Sequence, residues 1–216
     1  MKKIDIKKIG MWFLICLFVF IASTFLHECG HGLANKIHGV SVSTGFNRVG
    51  NAYKYPSDSD FRAGYDTTQT FLLDFGVPVT LILAVAFTAI LLIKKEWKDY
   101  SVQFVAAFAL CNSIIRLVPC LLSIFMSLFT GELHIEDEIQ TGQLLVERFS
   151  IDWVIAIPVI FSIAISILCY IFVMKKKRQI QFLIFKGMAL SLWLAYAVSF
   201  FIENWLDNII RINWTV

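Results

Sequence analysis

Charge is scarce in this chain. Only 16% of its 216 residues are Asp, Glu, Lys or Arg, against 58% hydrophobic, and the mean hydropathy of +0.72 excludes an ordinary soluble domain. Proline and glycine are also few, 4 and 11. No Pro/Gly/Ser-rich linker and no internal repeat divides the sequence, so a single domain over 1–216 is expected. The five cysteines, Cys16, Cys29, Cys111, Cys120 and Cys169, are odd in number and form no CxxC pair. That excludes a disulfide framework or a thiolate zinc site and leaves them as small core residues. The net charge of +3 sits mostly in short Lys/Arg clusters beside apolar segments, so it carries topology information and no nucleic-acid partner is expected.

What is abundant is apolar length. About 20 such residues at ~1.5 Å rise cross a bilayer core, and five segments qualify: Ile9 to Leu33, Phe71 to Ile93, Ser101 to Phe129, Trp153 to Met174 and Ile180 to Ile202. The expected fold is therefore an all-α polytopic protein integral to the cell membrane, with the lipid bilayer as its surroundings. Arg116 and Pro119 in the third span favour a kink, a break or a re-entrant path there. The basic clusters "MKKIDIKK", "KKEWK" and "KKKR" border alternate span ends, which puts them and the N-terminus on the cytoplasmic side. Asn35 to Thr70, Gly131 to Asp152 and the C-terminal tail fall opposite. The start has the lysines and apolar run of a secretory signal, but its cleavage pattern is poor and the apolar stretch continues, so it reads as a retained helix. "VSVSTGFNRVGNAYKY" after the first span alternates around Gly45 and Gly50, as a small β-hairpin or loop insertion would.

Within the first span lies "HECGH", an HExxH pattern at His27, Glu28 and His31. Residues four apart share a helix face, so both imidazoles can hold one Zn²⁺ while Glu28 reaches the water beside it as general base and acid. Ionisable groups in a spanning helix cost roughly 2.5–3.5 kcal/mol each on insertion scales and usually serve a function. The longer metzincin pattern HExxHxxGxxH fails, because Ile37 stands where its third histidine belongs. His38 then reads as a loop residue.

An HExxH in an apolar first helix, a glycine-containing strand-like loop, "FGVPVT" opening the second span, and "NSIIRLVP" followed by acidic residues together resemble the M50, or site-2-protease-like, intramembrane metalloproteases. The likeness covers Phe20 to Gly142, a metal-site core of about 9–142, and leaves the helices of 153–203 without a matching motif. It implies a zinc endopeptidase cleaving membrane-inserted or membrane-associated proteins or peptides. It also implies an aspartate as third ligand, for which "HIEDEIQTG" offers Asp137, followed here by Glu138 in place of glycine. Family members often carry the site toward the cytosol, whereas the lysine distribution here puts it opposite. The first and third spans run in the same direction, so His27 and Asp137 leave the membrane on one side; His134, Glu136 and Glu138 share that position. Asn112 and Arg116 are candidates for binding substrate or the developing oxyanion, or for holding Asp137; the alternatives are a polar helix–helix contact for Asn112 and an interfacial position for Arg116. Gly30 and Gly32 allow close approach of a neighbour, and Asp74 and Glu203 read as interface residues near span ends. Two further functions fit the composition: a membrane binding or assembly protein that keeps a metal site without hydrolysis, and a transporter with ionisable groups along an ion path.

Overall fold

The computed structural model describes residues 6–55, 71–97, 99–177 and 187–216. Five of its helices are long and apolar enough to cross a membrane. In chain order they are α1 (Ile6–Ile37), α2 (Gly76–Ile93), α3 (Asp99–Thr130), a 3₁₀ turn (Asp152–Ile155) leading into α5 (Ala156–Lys177), and α6 (Met188–Leu206). The shorter α4 (Asp137–Phe149) lies between α3 and α5. This is the all-α polytopic fold expected, with a small sheet added.

The central helix is α3, packed on α1, α2 and α5, and its buried Ala106, Leu110 and Ile114 meet Trp12 and Phe20 of α1 in one core. Trp12 buries its ring fully and donates Nε1–H to the Met188 carbonyl at 3.1 Å, which ties the start of α6 to α1. Cys16, Cys111, Cys120 and Cys169 are buried and all five cysteines are free, as expected of core residues.

Strands β1 (Val42–Thr44) and β2 (Val49–Asn51) form the hairpin after α1, and β3 (Ile212–Trp214) joins from the far end of the chain. The order is β2-β1-β3, antiparallel throughout, with Thr44 opposite both Val49 and Ile212. The Gly45 amide donates to the Arg48 carbonyl at 2.9 Å. That bond closes a two-residue turn and fixes the alternation: Arg48 and Gly50 face β1, while the amides of Val49 and Asn51 face the open edge.

Several boundaries differ from the sequence expectation. The second span begins at Gly76 instead of Phe71, because Asp74 accepts the Gly76 amide at 2.8 Å and fixes the preceding turn. The third runs unbroken through Pro119; one lost backbone bond does not end a helix packed on three others. Residues 137–149, expected within an outer loop, form α4, with Asp137 and Glu138 in its first turn and Arg148 in its last, charges that suit the helix dipole. The fifth span begins at Met188, after Gly187 in the left-handed region at φ 86°. Residues 180–186 of the expected span, and Lys2, Lys3, Lys98 and Arg178 of the basic clusters, lie outside the described residues.

Candidate metal centre

The helical repeat of α1 puts Thr24, His27, Glu28, His31 and Asn35 on one face, and all five line a polar cavity of about 470 Å³. Facing them, Ile115, Arg116 and Pro119 come from α3, Glu136, Asp137 and Gln140 from the start of α4, and Tyr196, Ser199, Phe200 and Glu203 from α6. Asn47, Arg48 and Val49 of the hairpin close the rim. The hairpin sits close because Gly32 leaves no room for a side chain: a Cβ there would meet Thr44 and the Trp214 ring. Gly30 plays the same part toward α2, since its Cβ would lie 2.6 Å from the Gly76 nitrogen and the Phe75 carbonyl carbon.

Asp137 reaches this wall by a return path. Beyond Arg116, α3 continues for 14 residues to Thr130, about 21 Å at ~1.5 Å each. The next residues run back beside it, held where Ser127 Oγ accepts the His134 amide at 2.8 Å and Ser123 Oγ–H donates to the His134 carbonyl at 2.6 Å. Asp137 is thereby lowered to the level of Arg116, whose Nη1 lies 3.2 Å from its Oδ2 and 3.6 Å from Glu138. Arg116 and Glu138 are buried, so this pair holds the carboxylate from behind.

Three ligand atoms converge. His27 Nε2 is 2.9 Å from Asp137 Oδ2 and 3.1 Å from His31 Nε2, and the third side of the triangle is 3.6 Å. Tetrahedral zinc with bonds of ~2.0–2.1 Å sets its donors about 3.3 Å apart, so the triangle is the right size. Among the described residues His27, His31 and Asp137 form the one group of three side chains able to hold a metal ion. The donor set of two imidazoles and a carboxylate is one that would suit zinc.

Outside the spans, the acids respond to this setting. Burial works against the charged form of Asp137, but His31 and His27 outweigh it and hold the carboxyl well below the usual aspartate range. Asp74 behaves likewise: burial is opposed by the hydrogen bond from His31 and by the Gly76 amide, and its carboxyl is also held low. His31 Nδ1–H donates to Asp74 at 2.9 Å, which commits Nδ1 as the protonated nitrogen and turns Nε2 toward His27 and Asp137.

Of the residues singled out from sequence, His27, Glu28, His31, Asp137 and Arg116 meet in this cavity. Asn112 does not: it is fully buried inside α3's packing and its Nδ2 donates to the Phe108 carbonyl at 2.9 Å. Glu138 and His134 stay out of the triangle, Glu138 beside Arg116 and His134 beside Glu136. His38 stacks on Phe71 and its Nδ1–H donates to the Ala34 carbonyl. Asp74 and Glu203, read as interface residues, both line the cavity. For Asp74 the available signal was an acid two residues before a Gly-Val-Pro helix start.

A second cavity, apolar and of about 520 Å³, opens between α2 and α5 and shares His31, Asp74 and Asp137 with the first. Val77, Leu81, Val85 and Phe161 are among its walls. His31, Asp74 and Asp137 thus border one polar and one apolar space. Comparison with known proteins returns nothing: no family model, no curated protein and no solved structure matches this chain.

Proposed function

We propose that the chain is a zinc-dependent intramembrane endopeptidase of the site-2-protease-like kind, acting on membrane-inserted or membrane-associated proteins or peptides. The observation that carries this reading is the His27, His31 and Asp137 triangle with Glu28 on the same cavity wall. When bound, zinc supplies Lewis-acid chemistry, raising the acidity of water and polarising a carbonyl.

The chain's own residues do the rest. Glu28, one residue beyond His27 on the cavity face, takes a proton from the attacking water and delivers it to the amine that leaves. Asp74 orients His31, and Arg116 orients Asp137. Substrate backbone lies extended beside the open edge of β2, where Val49 presents its amide to the cavity side, and an apolar stretch of the same substrate occupies the space between α2 and α5. A bond held where the two spaces meet is shielded from bulk water on its apolar side.

The test is metal content and hydrolysis together. The purified full chain carries one zinc per molecule, His31→Ala and Asp137→Ala lose it, and Glu28→Gln keeps zinc but loses cleavage of a membrane-protein substrate. Zinc without cleavage in the unmodified chain favours a binding or assembly role, and neither zinc nor cleavage favours a transporter. Full zinc and activity in Asp137→Ala rejects the ligand assignment.

A further inference from the structure

Among the described residues no cation forms an ion pair with Glu203, which α6 places on the cavity wall. It is 3% exposed, it lines the polar cavity, and its Oε1 has no hydrogen-bond partner. A buried carboxylate left so is expensive unless something arrives to meet it. The Thr24 and Ser199 hydroxyls lie within hydrogen-bonding reach of the carboxyl group, but both are neutral and both also bond their own helices, to the Phe20 carbonyl at 3.0 Å and the Tyr196 carbonyl at 2.9 Å, and Oε1 is left over. The nearby cation is committed as well, since Arg48 Nε lies 3.2 Å from Asp207 and its Nη2 donates to Asn204 at 2.9 Å. The neighbouring charge that acts on Glu203 is Asp207, of the same sign. A buried carboxylate oxygen with no partner and no cation paired to it is complementary to a cationic donor.

The walls around it suit such a group. Tyr196 and Phe200 lie two turns and one turn before Glu203 on the same face of α6 and also line the cavity. They offer rings along which the aliphatic stem of a long side chain can lie, with its charged head at the carboxylate. We propose that Glu203, with Tyr196 and Phe200, forms a specificity subsite for a lysine or arginine side chain of the substrate. This deepens the protease reading, because the same cavity holds Glu28 and the metal position.

The probe is a series of short fluorescent Leu/Ala peptides with one lysine stepped along them, and a norleucine parent. They are titrated by anisotropy into the purified full chain carrying Glu28→Gln, which prevents turnover. Losing one partner of a desolvated charge pair weakens binding, so at one register the lysine peptide binds at least about tenfold more tightly than the parent. Glu203→Gln removes that preference. In Glu203→Lys the preference passes to a glutamate at the same register, a gain that misfolding cannot produce. No register favouring lysine, no binding by any peptide, or a preference that survives Glu203→Gln overturns the proposal. If the unmodified chain cleaves a substrate yet shows no lysine preference, the subsite fails and the protease reading stands. If the preference tracks Glu203 and no substrate is cleaved, the reverse holds.

Discussion

Replacing Asp74 by alanine separates an orienting role from a ligand's role. In the intact protein its carboxylate accepts His31 Nδ1–H at 2.9 Å and the Gly76 amide at 2.8 Å, so Asp74→Ala frees the imidazole to rotate and leaves the start of α2 uncapped. Loss of a carboxylate behind a ligating histidine costs 10–100-fold in metal affinity as an order of magnitude, or about 1.4–2.7 kcal/mol. Loss of the cap costs about 0.5–2 kcal/mol of stability. Asp74→Asn keeps an acceptor for Gly76 and loses the charge, so it keeps most of the cap and falls between alanine and the unmodified chain in zinc affinity. Competition against a chelator of known affinity measures the first effect, and melting of the metal-free protein in detergent measures the second. The pH dependence has a definite sign. Asp74 is held below its ordinary range, so the stability it contributes is present above its unfolded value of about 3.9 and is lost as pH falls through the lower, folded value. The melting gap between unmodified and Asp74→Ala protein therefore persists down to about pH 5 and closes below about pH 4. Zinc affinity in Asp74→Ala within a factor of about two of the unmodified chain, well inside the expected loss, would refute the reasoning.

Three other outcomes are expected. Gly30→Ala sets a Cβ 2.6 Å from backbone atoms of Phe75 and Gly76; it lowers the melting temperature, at about 1–3 kcal/mol, and weakens zinc binding because the displaced segment carries Asp74. Val49→Pro removes an outward-facing amide of β2 without breaking the bonds to β1, so cleavage of an extended substrate falls while zinc content is unchanged; equal turnover would exclude a role for that edge. Reporter fusions at the two ends of the chain read opposite sides of the membrane, as five spanning helices require, and the same side at both ends would contradict the topology.

How much of this was legible depended on how local the signal was. HExxH is read directly because one helical turn joins its members, and the five spans are read from apolar length alone. The parallel course of α1 and α3 brings the whole segment after α3, with His134, Glu136, Asp137 and Glu138, to the exit end of α1, and the choice of Asp137 among them rests on the family resemblance. Asp74 and Glu203 looked like interface acids, since a single carboxylate near a span end has no spacing to distinguish it. Glu203 gains its meaning only when α6 packs against α1, a pairing no local pattern encodes. The α4 helix could have been found from its acidic first turn and basic last turn, but its length is too short for a span and it was absorbed into a loop. The third strand was invisible: β3 pairs with residues some 170 positions earlier.

That distant strand gives the molecule an order in time. Trp214 donates Nε1–H to Thr44 Oγ1 at 2.8 Å and packs on Gly32, one residue past His31, while the Asp207 carboxylate accepts the Phe46 and Asn47 amides in the hairpin turn. During synthesis the histidines and the hairpin leave the ribosome early, and α6 and β3 leave it last. Until residue 214 has emerged, β1 has one neighbour instead of two, the hairpin turn lacks its carboxylate, and the cavity lacks the wall that carries Glu203. A growing chain thus holds His27 and His31 well before it holds the finished cavity around them.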